Sequence, residues 1–348
     1  MSSSSPLHFD AVGYPEPHLE RTRTLLRTHP EVRSLFMSRS EPMSALWVFV
    51  LVAAQVTAAW ALRDQPWWLI VIVAWLFGAF AVHGLWVLIH DLTHNLVFFQ
   101  RPQQNAVLQI VAGMPVLFPA AIPFRKYHLL HHRFQGDPDL DADLASPFEA
   151  RVVQNGTVRK ALWLFTFWFW QALRTPRLKK IKLWDGWYLA NIAVNVAFIG
   201  AVLGGLGWRA LLYLLLSSIF AIGLHPVGAR WIQEHYLTAP GDQETFSYYG
   251  PLNRIAFNVG YHNEHHDLMM VPWSRLPKVR AMAPELYDSL HFHRSWSRLL
   301  LRFITDPSLS LYSRRVRGSA APVTEAKPAD RAFVEAITVA AREQAQSA

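Results

Sequence analysis

Cysteine is absent from all 348 residues. That absence excludes disulfides, zinc ribbons, thiol nucleophiles and iron–sulfur ligation, and leaves His, Asp and Glu as the side chains able to hold a metal. Charge is also scarce: Asp, Glu, Lys and Arg make up 17% of the chain against 52% hydrophobic residues. A soluble domain of this length needs more polar surface, so the composition points to a membrane protein. No Rossmann glycine fingerprint, CxxCH haem attachment or appended haem domain is present, so electrons for any redox chemistry must come from outside. The net charge of +8 would suit nucleic acid, but Arg and Lys flank apolar runs in the manner of membrane topology, and no nucleic-acid partner is expected.

What is present is a set of long apolar runs. Residues 43–62 and 66–89 are separated by Arg63–Asp64–Gln65, and residues 187–206 and 208–229 by a "GLGW" turn. Each is long enough to cross a hydrocarbon core of about 30 Å as a helix. The expected fold is an all-α integral membrane protein with four transmembrane helices in two hairpins. Before the first run, Arg21, Arg23, Arg27, Arg33 and Arg39 make a stretch too long and too charged for a cleavable signal peptide. With "RTPRLKKIK" at 174–182 and "YSRRVRG" near the end, these residues predict cytoplasmic termini and a cytoplasmic central loop. Residues 161–173 are too short to span. Residues 106–124 have the length, but Gly113, Pro115, Pro119 and Pro123 predict an interfacial or re-entrant segment instead. The chain divides into an N-terminal cytoplasmic segment (1–42), a membrane-embedded body (43–317) and an Ala/Pro-rich flexible tail (318–348).

Sixteen histidines stand out in such a chain. Eight fall in three clusters: His90 and His94 in "HDLTH"; His128, His131 and His132 in "HLLHH"; His262, His265 and His266 in "HNEHH". Spacings of three and four put each cluster on one helix face, so each helix offers two or three imidazoles to one point. If 106–124 stays on one side, all eight meet on the cytoplasmic face as a shared metal site. An isolated His such as His83 is ordinarily a packing residue, but three clusters of one geometry are not explained that way. Eight neutral imidazoles suit two metal ions with about four nitrogens each; by donor type zinc, iron, copper and nickel all remain open. His235 in "WIQEHY" is the favoured ninth ligand and His225 in "GLHPVG" its rival, disfavoured because Pro226 interrupts the helix there. Asp91, Glu264 and Asp267, interleaved with the clusters, are candidates to accept the second ring N–H of a ligand, or else ordinary solvated carboxylates.

The HxxxH, HxxHH and HxxHH set at this hairpin spacing resembles the membrane-bound fatty acyl desaturases. The phrases "FRKYHLLHHRFQGDPDLDAD", "GLHPVGARWIQEHY", "TFSYYGPLNRIAFNVGYHNEHHD" and "YSRRVR" resemble more narrowly the sphingolipid Δ4-desaturases, over about residues 14–317. The resemblance implies a cytoplasmic helical cap holding a di-iron centre ligated by the eight box histidines and His235. It also implies O2 as co-substrate and removal of two hydrogens from carbons 4 and 5 of a sphingoid base such as dihydroceramide. A cytochrome b5-like or ferredoxin-like donor with its reductase would supply electrons; Arg275, Lys278 and Arg280 form a basic patch that could dock it or else belong to ordinary positive-inside anchoring. Leu130, Asp137–Pro138, Leu268–Met269 and Arg230 depart from the family pattern and leave chain length, headgroup and regiochemistry open. A fatty acyl desaturase or lipid hydroxylase of the same superfamily is the alternative. A non-catalytic metal carrier is the reading from another class, and it would place ligands in mid-span. The composition favours a bacterial inner membrane, whereas a eukaryotic homologue would sit in the endoplasmic reticulum.

Overall fold

The computed structural model describes residues 8–37, 40–178 and 182–318; the tail from 319 onward lies outside the described residues. Helix dominates. Among the described residues β-structure is confined to two short parallel pairs, Asp10–Val12 with Arg315–Arg317 and Ser247–Tyr248 with Phe292–His293. Four helices are long and apolar enough to cross a membrane: Met43–Leu62, Trp67–Thr93, Gly186–Leu206 and Trp208–His235. The second and fourth are central and more than half buried, whereas the first and third are mostly exposed. The outer two leave Leu46, Phe49, Trp60, Leu189 and Val196 exposed, as side chains facing lipid would be.

Local chemistry sets the ends of these helices. Asp185 caps the third span by accepting from the Tyr188 N–H at 2.9 Å and pairs with Lys126 at 2.6 Å. Gly207 ends that span at φ 86°, with its N–H turned back to the Val202 and Leu203 carbonyls; a left-handed residue here requires glycine. The second span contains a π-turn at Ala74–Gly78, and Gln55 of the first span donates to the Gly78 carbonyl at 2.9 Å.

Two boundaries differ from the sequence reading. The second span continues past residue 89 to Thr93, so the first histidine box forms its last turn. The fourth is interrupted: helix Trp208–Ile222 gives way to a 3-10 turn at Pro226–Ala229 and then a short helix at Arg230–His235. Pro226 breaks the ladder, and Gly228 lies so close to Gly223 that a Cβ would meet its carbonyl oxygen at 2.0 Å.

The run at 106–124 is split into helices Pro102–Gly113 and Ala121–Arg133. The third span satisfies the backbone at the break: Asn195 donates to the Gly113 carbonyl at 3.1 Å, and Asn191 accepts from the Ile122 N–H at 3.2 Å. Thr157–Phe165 and Phe167–Arg177 follow as two short helices with Val158, Leu162, Phe165, Phe169 and Leu173 exposed, an apolar outer face suited to a membrane surface. The N-terminal stretch packs as part of the body. Its Leu25, Leu26, Val32, Leu35 and Phe36 share a cluster with Leu268, Val271, Leu276 and Val279, which covers the third-box helix.

Candidate metal centre

Four elements bring the histidines together. The last turn of the second span supplies His90 and His94; helix Ala121–Arg133 supplies His128, His131 and His132; helix Arg230–His235 supplies His235; helix His262–Asp267 supplies His262, His265 and His266. Their donor nitrogens fall into two groups. Those of His90, His94, His128, His132 and His265 lie within 4.8 Å of one another, as do those of His131, His235 and His266. His262 joins the second group, its Nε2 being 3.0 Å from that of His235. The groups adjoin where the His132 and His266 rings pass at 4.3 Å between centroids. A membrane crossing by residues 106–124 would have separated the first two boxes; the observed break lets them meet.

The donor set fits metal ions. His132 Nε2 lies 3.0 Å from both His128 Nε2 and His265 Nε2, and His235 Nε2 lies 3.0 Å from both His131 Nε2 and His262 Nε2. A ring nitrogen has one lone pair or one N–H, so it cannot make two good hydrogen bonds at once. A first-row cation held by nitrogen at about 2.1 Å places donors at right angles about 3 Å apart. The Nε2 atoms of His94 and His266 are buried with no hydrogen-bond partner. Burial pushes His94, His128, His132, His262, His265 and His266 well below the usual imidazole pKa, so the rings are neutral with lone pairs free to coordinate.

His131 differs. Burial opposes its charge, but Asp141 and Asp143 outweigh that and raise its pKa to about 9. Its Nδ1 is 2.8 Å from Asp141 Oδ1, the carboxylate–histidine arrangement that fixes a ligand's tautomer. Asp141 also accepts from the Gly136 and Asp143 N–H groups, both at 2.8 Å, and sits 3.8 Å from Arg314. A third contact reaches the site from the N-terminal stretch. His18 Nδ1 meets Asp267 Oδ1 at 2.7 Å and its Nε2 meets Thr245 Oγ1 at 2.8 Å; Thr245 Oγ1 lies 3.2 Å from His235 Nδ1.

The carboxylates chosen from sequence do other things. Asp91 Oδ1 is 3.6 Å from His90 Nδ1, too long for a hydrogen bond, and its Oδ2 accepts from the Trp273 N–H at 3.1 Å. Glu264 accepts from Ser247 at 2.8 Å and Tyr249 at 2.5 Å. Asp267 holds His18, Arg21 and Tyr287. His225 is not brought to the cluster: its ring lies between Trp75 and Phe80, at 4.5 and 5.0 Å, and its Nδ1 accepts from the Val227 N–H at 3.2 Å. Asp141, His18 and Thr245 are the residues that sequence reasoning missed.

Beside the first histidine group lies a mostly apolar cavity of about 290 Å³. Trp86, one turn before His90, and Phe124, stacked on His128 at 4.6 Å, form its inner wall.

This fold and this cluster define a helical membrane protein with a histidine cluster able to hold metal ions. The Fatty acid desaturase family profile matches residues 66–298. A "Sphingolipid delta(4)-desaturase DES1-like" protein of Oryza sativa subsp. japonica is 42% identical over 302 residues, covering 87% of this chain and 90% of that protein. "Sphingolipid delta(4)-desaturase DES1" of Drosophila melanogaster is 41% identical over 317 residues, 90% and 97% of the two chains. "Sphingolipid delta(4)-desaturase/C4-monooxygenase DES2" of Bos taurus is 39% identical over 307 residues, 88% and 94%. The chain belongs to the fatty acid desaturase family, within the branch of the sphingolipid delta(4)-desaturases, and is an oxidoreductase.

Proposed function

We propose that the protein introduces a double bond between carbons 4 and 5 of the sphingoid base of dihydroceramide, at a centre of two iron ions. The observation that carries this reading is the gathering of His235 and the eight box histidines into two adjoining groups beside an apolar cavity. The first ion falls to His90, His94, His128, His132 and His265, the second to His131, His235, His262 and His266. When bound, the pair supplies oxidising power: with O2 and two electrons and two protons from outside, the C4–C5 single bond becomes double and two waters leave. The rest is the work of this chain. Phe124 and Trp86 wall the reacting carbons away from water, and Asp141 and the Thr245–His18 chain hold ligand rings in place. The relatives' names support the substrate, and the bovine name joins C4 monooxygenation to desaturation, so a minor 4-hydroxylated product is the second reading.

The flanking Arg and Lys support a cytoplasmic position for the centre and both termini. The pairing of Asp10–Val12 with Arg315–Arg317 supports a common side for the two ends. A cytochrome b5-like or ferredoxin-like donor and its reductase deliver the electrons. Of the basic residues read as its docking patch, Lys278 is exposed, whereas Arg275 reaches the Leu35 carbonyl and Arg280 the Asp288 carboxylate. The test is expression in a host without desaturases, fed dihydroceramide and separately saturated acyl lipids, with mass spectrometry to locate new double bonds. A new C4–C5 bond in ceramide is expected, and unsaturation in the acyl lipids alone overturns the assignment. His262→Ala should abolish product while the protein still inserts; retained activity would remove it from the ligands.

A further inference from the structure

The cavity beside the first histidine group is lined mainly by aromatic and aliphatic side chains, yet Tyr127, Gln171, Thr175 and Tyr188 also line it. Among the described residues none of these side chains has a hydrogen-bond partner, and Gln171 Nε2 is fully shielded from solvent. An unpaired buried donor is unfavourable, so the Gln171 amide left facing an apolar cavity marks a ligand that completes it. Tyr127 directly precedes His128 and lines the cavity on the side of the first histidine group.

The chemistry of the substrate places its polar atoms here. In a dihydroceramide the 3-hydroxyl is on the carbon next to the reacting pair and the amide is one carbon further, so groups that read the head must adjoin the metals. A plain acyl chain desaturated in its middle offers no polar atom at that distance. The cavity has a volume of about 290 Å³. That suffices for the head and the first methylenes.

We infer that this cavity seats the amide and 3-hydroxyl of the sphingoid lipid, with Gln171 and Tyr127 as its principal hydrogen-bonding groups, supported by Thr175 and Tyr188. Anchoring the head, instead of measuring the tail, then fixes which carbon pair faces the metals. This rests on the dihydroceramide reading above, and two measurements keep them apart.

The first is binding, which needs no turnover. A short-chain dihydroceramide should raise the melting temperature of the purified wild-type protein. Gln171→Leu and Thr175→Val should weaken that response about tenfold in ligand concentration, with an unchanged response to a saturated acyl lipid and unchanged metal content. The second is kcat/KM for dihydroceramide, its 3-deoxy analogue and the free sphingoid base. Gln171→Leu should lower kcat/KM about tenfold on dihydroceramide, with little further loss on the analogue lacking its partner, the non-additivity of a direct contact. Equal binding and kcat/KM in wild type and variants overturns the inference, as do fully additive losses on both analogues. Absence of C4–C5 product from wild type defeats the proposed reaction, and the binding comparison still decides the cavity.

Discussion

Asp141→Asn tests whether the second histidine group is a metal site in its own right. The carboxylate is buried and held as the anion at a pKa of about 2, because His131 outweighs the burial that would protonate it. One oxygen faces His131 Nδ1 and the Asp143 N–H, and the other takes the Gly136 N–H, all at 2.8 Å, with Arg314 at 3.8 Å. In the asparagine variant the amide oxygen can keep the first two partners. The amide nitrogen then opposes the Gly136 N–H and Arg314, which leaves a buried donor unmet at about 1–3 kcal/mol. Loss of an outer-shell carboxylate ordinarily weakens a metal site 10- to 100-fold, or about 1.4–2.8 kcal/mol. The damage should stay with His131, His235, His262 and His266, since no contact of Asp141 reaches the other five rings. Chelator challenge of the reconstituted protein, followed by elemental analysis, should therefore strip half the metal from the variant under conditions where wild type keeps all of it. Retention equal to wild type would refute the reasoning, as would loss of both ions together.

His18→Ala should weaken metal retention about tenfold while His18→Gln, which can still link Asp267 to Thr245, recovers most of it; equal retention in both would show that the ring merely fills space. His225→Ala should leave metal content unchanged, as its ring sits between Trp75 and Phe80. Glu149 gives a pH prediction. Arg174, in a two-point pair at 2.7 and 3.0 Å, outweighs burial and lowers the Glu149 pKa. Its contribution to stability is present above the unfolded carboxyl value, about 4.3, and disappears as pH falls through the lower folded value. Glu149→Gln should cost about 3–5 kcal/mol near neutrality, and melting curves should converge with wild type in acid; a constant gap would count against the pair.

The spans and boxes are legible in the sequence because their signals are local. A twenty-residue apolar run and an i, i+3, i+4 histidine pattern each carry their geometry with them. Sequence adjacency does not tell which carboxylates face the histidine rings, for the same reason. Neighbours on a helix point about 100° apart, so Glu264, between two ligands, turns to Ser247 and Tyr249, and Asp267, next to His266, turns to His18. The contacts that the cluster does make come from loops or distant segments. Asp141 lies in the loop after the second box, and His18 is separated from Asp267 by 249 positions. No periodicity announces such contacts. The break after Ile222 was only half visible, since Pro226 marks it but the close approach of Gly228 to Gly223 is a tertiary fact.

The parallel pairing of Asp10–Val12 with Arg315–Arg317 bears on how the enzyme is made. Arg314, beside that strand, reaches both Asp141 and the Asp143 carbonyl. The cage therefore receives its last brace from residues synthesised after every ligand and every span. A metal ion taken up by the cluster would then gain that brace only after synthesis had passed Arg317, when the strands Asp10–Val12 and Arg315–Arg317 can pair like a clasp.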